Sequence, residues 1–292
     1  MAITIRTTER YKHHPIWDNI VSEFNIAGIQ GLIFQCTDGG LIEAKNTGTK
    51  DIPIYCLEAL EYDTDGEFYP ENFFTKNEWI NKINTAAFFK SKLLLLTHKR
   101  HDHILFKLYN VVIEDNEVVL KQVDIFKDEA KFISWWKSIK KLSQTKRTVE
   151  AAPRQANTIF DGILEKYGAA WGGNVDGFFL SENRRSVVAI LEVRQSNNFL
   201  VETYDPARYF LGTATRGGDF KTWLPLIYLK NAYKIPIILV TLSTKDTSKL
   251  GFAEVSSINN NCLLYVNGIS PTRNVTDKFS FFKSWASELI DH

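Results

Sequence analysis

Two acids in the second half of the chain have the type and order that an oxygen-ligated divalent metal requires, and two bases stand close to them in sequence. Asp176 lies in NVDGFF and Glu192 in ILEVRQ, on segments that read as successive strands over 174–180 and 187–194. Period-two alternation puts Ile190, Glu192 and Arg194 on one face of the second strand, so an acid and a base share that face at the strand's end. A carboxylate there needs a partner. Mg²⁺ is one, since it takes oxygen ligands and commonly uses one or two carboxylates with water and substrate phosphate. Such an ion polarises a phosphoryl oxygen and helps create a nucleophilic water, and Mn²⁺ is the natural substitute. A third acid, Glu165, falls on an expected helix over 157–167, one turn beyond Asp161. Arg194 keeps its charge at any relevant pH and would steady charge on a phosphate rather than accept a proton. Lys221, just ahead of the next expected helix, is a second source of an ammonium. The bland alternative for Glu192 beside Arg194 is a salt bridge at a solvated rim.

The elements that would position these groups are set by pattern. Ile159, Phe160, Ile163, Leu164 and Tyr167 recur at helical spacing, with Gly168 placed to end the helix. The run VVAIL is apolar on both faces, the mark of a central strand covered on both sides. Thr222 is an expected N-cap for a helix through Tyr233, with Pro225 tolerable in a first turn. IPIILVTL then reads as a buried strand, short strands are expected over 252–256 and 263–266, and an amphipathic helix over 277–290 closes the chain. The first half predicts a helix over 15–24, a β-hairpin with Asp38-Gly39-Gly40 at its turn, strands over 52–62, 92–97, 104–113 and 117–126, and a helix over 76–89. No internal repeat is evident. A linker, TVEAAPRQAN, with Pro153 as a breaker, sets the expected domain boundary near 150. The fold class is therefore α/β, with an N-terminal mixed α+β domain over 1–150 and a C-terminal domain over 151–292.

From about residue 155 to 242 this order of residues and elements resembles the PD-(D/E)XK nuclease superfamily, which includes many type II restriction endonucleases. The family pattern is an acid on one strand, then acid-x-Lys on the next, with an acidic helix before and a helix–strand unit after. Asp176 matches the first acid, Glu192 the second and Glu165 the acid of the leading helix. Arg194 occupies the lysine position and Val175 stands where the family has proline. The resemblance implies a restriction-endonuclease-like central mixed sheet flanked by helices. It also implies a Mg²⁺-dependent endodeoxyribonuclease in which Asp176, Glu192 and Glu165 hold the metal and Arg194 or Lys221 serves the attacked phosphate. Double-strand cleavage would imply a homodimer, and the N-terminal domain would recognise or regulate. The alternative, which Arg194 favours, is an inactive nuclease-fold protein acting as a nucleic-acid-binding or interaction module.

Other groups of reactive residues have plain structural explanations beside their chemical ones. Glu43-Ala44-Lys45, after Asp38, is a second acid-x-Lys, although Asp38-Gly39-Gly40 suits an ordinary hairpin turn. His98, His101 and His103, with Asp102 among them, lack metal-ligand spacing and fit a strand-turn-strand join. The stretch 131–147 holds six basic and no acidic residues around Trp135 and Trp136. Lys137, Lys140 and Lys141 there would suit a phosphate backbone, or else the solvated side of an amphipathic helix. Arg184, Arg185 and Arg216, in a strand turn and a loop, are further phosphate-contact candidates.

Composition narrows the class. With 44% hydrophobic and 13% aromatic residues the chain can bury a core. A net charge of +1 means that any nucleic-acid surface is a local patch. Cys36, Cys56 and Cys262 are too few and too scattered for a disulfide framework, which predicts a reducing, cytoplasmic setting. No apolar run reaches the roughly 20 residues needed to span a bilayer.

Overall fold

The computed structural model describes residues 32–36, 41–43, 54–62, 69, 73–100, 102–139, 159–168, 175–181, 183, 185–207, 212–213, 216–217, 220–259 and 262–277. They form an α/β protein of two compact units.

The first unit is built on a five-stranded sheet in the order β2 (Leu41–Glu43), β3 (Ile54–Tyr62), β4 (Leu93–Lys99), β5 (Phe106–Glu114) and β6 (Glu117–Phe126). Only β3 and β4 run parallel. Helix α1 (Lys76–Phe88) makes the crossover between them, as a parallel pair requires. Thr75 starts that helix with a capping box: its hydroxyl accepts the Glu78 N–H, and the Glu78 carboxylate accepts the Thr75 N–H at 2.7 Å. Along β3, Leu57 and Glu58 point to opposite sides. Leu57 joins a core cluster with Phe106, Phe126 and residues of α2 (Glu129–Ile139) and α3 (Ile159–Lys166), while Glu58 meets α1.

Helix α2 resolves the reading of the aromatic, basic stretch. Phe132, Ile133 and Trp136 are buried, and Trp135 packs on Phe126 at 5.2 Å between ring centroids. The aromatic side is core, and Lys137 is exposed. Helix α3 contributes Phe160, Ile163 and Leu164 to the same cluster. The linker pattern assigns this helix to the C-terminal domain; its apolar face instead completes the first unit. The two units accordingly divide after Cys36 as well as between residues 174 and 175, the latter break falling later than the boundary near 150 that the linker suggested.

The second unit holds a seven-stranded mixed sheet in the order β1 (Leu32–Cys36), β7 (Gly177–Ser181), β8 (Val187–Ser196), β11 (Ile237–Ser243), β12 (Lys249–Ile258) and β13 (Leu263–Tyr265), with β14 (Val275–Asp277) also on β12. Helix α4 (Phe220–Tyr233) links the parallel pair β8 and β11. A two-stranded ribbon, β9 (Gly212–Thr213) with β10 (Arg216–Gly217), precedes it.

Four expectations change here. The hairpin around Asp38-Gly39-Gly40 does not form, because β1 pairs with β7 and β2 pairs with β3 in a different sheet. Leu32, Ile33 and Phe34 are apolar at successive positions, a pattern without the alternation that a half-solvated hairpin arm shows. Helix α4 begins at Phe220, so Pro225 lies beyond its first turn. Lacking an N–H, Pro225 cannot donate to the carbonyl of Lys221, four residues before it. The chain also repeats at the level of topology where its sequence shows no repeat, since both sheets place a helix across one parallel pair. Finally, Asp277 belongs to β14 rather than to a closing helix; residues 278–292, where that helix was expected, lie outside the described residues, as does the helix expected over 15–24.

The cluster that joins α2, α3 and the sheet predicts where the first unit is weakest. Phe132→Ala should cost about 3–5 kcal/mol of stability by chemical denaturation, while Lys131→Ala, at an exposed position, should shift it by less than about 0.5 kcal/mol.

Candidate functional site

Antiparallel pairing of β7 and β8 aligns Gly177 with Leu191 and Phe178 with Ile190. Continuing that register by one residue brings Asp176, immediately before β7, level with Glu192. The Asp176 Oδ2 accepts the backbone N–H of Val193 at 2.8 Å, which fastens the loop entering β7 onto β8. Glu192 is 4% exposed, and its Oε1 lies 2.9 Å from the Arg194 Nη2. The acid-x-base triplet therefore forms its own ion pair along one face of the strand, as alternation predicts. The Arg194 guanidinium also sits 5.6 Å from the centre of the buried Trp223 ring of α4, a cation–π contact that orients it.

Glu192 does not close its strand, as the sequence suggested. Strand β8 runs two residues beyond Arg194, and Glu192 is the third of seven residues paired with β11. Ser196 and Ser243, the last register partners of that ladder, anchor the segment that leaves β8. The Ser196 Oγ accepts the Phe199 N–H at 2.8 Å, and the Ser243 Oγ donates to the Phe199 carbonyl at 2.7 Å. Those hydroxyls hold the connection at the carboxyl ends of the parallel strands, the side on which open α/β sheets bind their ligands.

Two residues that pattern reading missed pack beside the pair. Thr241 is the register partner of Arg194 on β11, and Gly251 is its partner on β12. A Cβ at Gly251 would lie 2.2 Å from the Thr241 Oγ1, 2.7 Å from the Pro271 carbonyl and 2.8 Å from the Val201 Cγ1. The glycine is required by space, a signal invisible without the sheet order.

Other residues expected at the site belong to several elements. Glu165 is on α3, in the first unit, and Lys221 is in the first turn of α4; their side chains are outside the described part. Arg216 lies in the β10 ladder rather than in a loop, again without a described side chain. Arg185 is exposed, and its backbone N–H binds the Asn183 Oδ1 at 2.9 Å. Arg184, Lys140, Lys141, Asp38, Lys45 and His101 lie outside the described residues, and Glu43 is described only as part of β2. His98 is buried with its Nδ1 2.6 Å from the Leu105 carbonyl, and His103 pairs with Asp102 at 2.9 Å. Both bonds stitch the β4–β5 connection.

No three His, Cys, Asp or Glu side chains form a metal-ligand group among the described residues. The carboxylates of Asp176 and Glu192 remain the oxygen donors that the sheet register puts side by side. Comparison of the chain with protein-family models found no match, and comparison with curated proteins found none either.

The packing leads to two expectations. Gly251→Ala should destabilise the second unit by about 1–3 kcal/mol in a denaturant titration, through overpacking against Thr241. Arg194→Met, which removes the guanidinium from a buried carboxylate, should cost about 3–5 kcal/mol. The double substitution Glu192→Gln/Arg194→Met should be closer to wild type than Arg194→Met alone.

Proposed function

We propose that the second unit is a divalent-metal-dependent phosphodiesterase centre of the PD-(D/E)XK kind, cutting double-stranded DNA in the manner of a restriction endonuclease. The observation that carries this reading is the register of Asp176 with Glu192 on neighbouring antiparallel strands, followed by a helix and a parallel strand. Among the described residues no helix is long and apolar enough to cross a membrane, and the substrate class proposed is one met in aqueous solution.

In this reading Asp176 and Glu192 hold Mg²⁺, or Mn²⁺ in its place, through oxygen donors suited to either ion. The ion supplies Lewis-acid polarisation of the phosphoryl oxygen and acidifies a water. The chain's own residues do the rest. The Val193 N–H holds one oxygen of Asp176 and so fixes the carboxylate. Arg194, steadied by Trp223, is shared between Glu192 and the charge that grows on the attacked phosphate. Lys221 is the proposed second cation. Arg184, Arg185 and Arg216, with Lys137, Lys140 and Lys141 of the first unit, are proposed phosphate contacts. A homodimer would supply one centre for each strand.

A second reading has its own observation. The Glu192–Arg194 ion pair neutralises the buried acid without any metal, and arginine cannot act as the proton acceptor that lysine can. A nuclease-fold module that binds nucleic acid without cutting it would look this way.

Plasmid, linear and single-stranded substrates incubated with Mg²⁺ or Mn²⁺ separate the two. Cleavage that requires the ion and falls at least about a hundredfold in Asp176→Ala and in Glu192→Ala, with DNA binding retained in a mobility-shift assay, is the expected result. Binding without cleavage in the wild type, unaffected by chelator, would establish the module instead. Cleavage that survives Asp176→Ala and disappears in Glu43→Ala would move the chemistry to Asp38, Glu43 and Lys45.

A further inference from the structure

The two sheets repeat one plan. In the first unit β2 is antiparallel to β3, β3 is parallel to β4 across helix α1, and β4, β5 and β6 continue antiparallel. In the second, β7 is antiparallel to β8, β8 is parallel to β11 across helix α4, and β11, β12 and β13 continue antiparallel.

The correspondence extends to single residues. Each parallel pair comprises seven register partners, Cys56–Tyr62 with Leu93–Lys99 and Ile190–Ser196 with Ile237–Ser243. The third position is Glu58 in one and Glu192 in the other, each preceded by a leucine and each opposite a leucine, Leu95 and Leu239. The fifth position of the partner strand is threonine in both, Thr97 and Thr241, and LLLLT stands against IILVT. The following antiparallel ladders also match, with five partners each, from Leu93–Val111 to Thr97–Lys107 and from Ile237–Val255 to Thr241–Gly251. A common fold preference accounts for strand order; it does not account for a buried glutamate at the same rung.

The two glutamates differ in what neutralises them. Glu192 takes a cation from its own strand, Arg194, whose side chain is 26% exposed. At the matching place in β3 stands Leu60. Glu58 takes its cation from the crossover helix, Lys82, at 2.5 Å, with both side chains at most 3% exposed. The Lys82 ammonium lies 4.4 Å from the centre of the Phe74 ring, and Cys56, on the same face of β3 as Glu58, feels both charges. Counting back from the register counterparts Leu41 and Phe178, the residue two positions earlier is Gly39 in the first unit and Asp176 in the second. The first copy thus has no acid at that sequence position to pair with its buried glutamate.

We infer that the first unit is a second copy of the fold unit in the second, and that its Glu58–Lys82 pair is the counterpart of the Glu192 centre, with an internal ammonium standing where the second unit takes a divalent cation. The cation clause rests on the function proposed above; the duplication does not. The first unit is then a copy sealed against metal, and Glu58 is a latent cation ligand that Lys82 holds shut.

Counting Mn²⁺ bound per chain, by electron paramagnetic resonance of the free ion, tests this in the full-length protein. Lys82→Ala should bind one ion more than wild type, and Lys82→Ala/Glu58→Gln should return to the wild-type number. Because Lys82→Ala leaves a buried carboxylate without its ammonium, its refolding yield is also read in Mn²⁺ and in chelator. Recovery of the fold by Mn²⁺, lost again in the double variant, supports the inference. A folded Lys82→Ala that gains no ion, or one that fails to refold in either solution, overturns it. A wild type that binds no Mn²⁺ would sink the cleavage reading and with it the comparison to a divalent ion in the second unit, whereas the gain of one ion on removing Lys82 would still show Glu58 to be a latent cation ligand.

Discussion

A glutamate buried in the parallel rung of a mixed sheet is the constraint around which each unit is organised. A carboxylate out of water must be neutralised at close range. With leucine at the register position opposite each glutamate on the parallel strand, the cation comes from a position two residues along the glutamate's own face or from the helix that crosses over it. The second unit uses the first solution and lays Arg194 against Trp223 of α4. The first uses the other, so α1 must bury Lys82 and with it Asn81, Thr85 and Glu78, a polar load unusual for a helix packed in a core. Choice of cation source thereby decides how exposed the cation is: the Arg194 side chain is 26% exposed and that of Lys82 2%, while both glutamates are buried.

Much of this was legible in sequence where a single physical rule dominates. Alternation along ILEVRQ puts Glu192 and Arg194 on one face, and they are found ion-paired there. The VVAIL and IPIILVTL runs, apolar on both faces, become the parallel pair at the centre of the sheet. The aromatic residues of α2 fall on helical spacing and face the core. Features set by long-range pairing escaped. Nothing local in LIFQC says that it joins a strand near residue 180 rather than the LIE segment a few residues on. Helix α3 is amphipathic wherever it packs, so its pattern could not tell which unit it completes.

The repeat was hidden for a related reason. A sheet conserves register and direction, and its demands on sequence are met by any β-branched or aliphatic residue. Outside the glutamate, its leucine neighbours and the threonine rung, the copies share little that a linear comparison can find. The acid and the cation of the first unit are also 24 residues apart in sequence. Only strand order and rung number reveal that Lys82 and Arg194 answer the same need.

The pairing of β1 with β7 has a consequence for how the chain can reach its native state. Cys36 and Gly177 are register partners, so the backbone leaves the larger sheet and returns to it at neighbouring points, roughly 5 Å apart as cross-strand partners are. Everything between them is looped out from one hairpin position. During synthesis β1 emerges first and must wait, unpaired, until β7 is made. The five strands of the smaller sheet all emerge in that interval, and among the described residues they pair only with one another. The smaller sheet can therefore form first, shortening the free chain whose closure entropy β1 and β7 must overcome to meet.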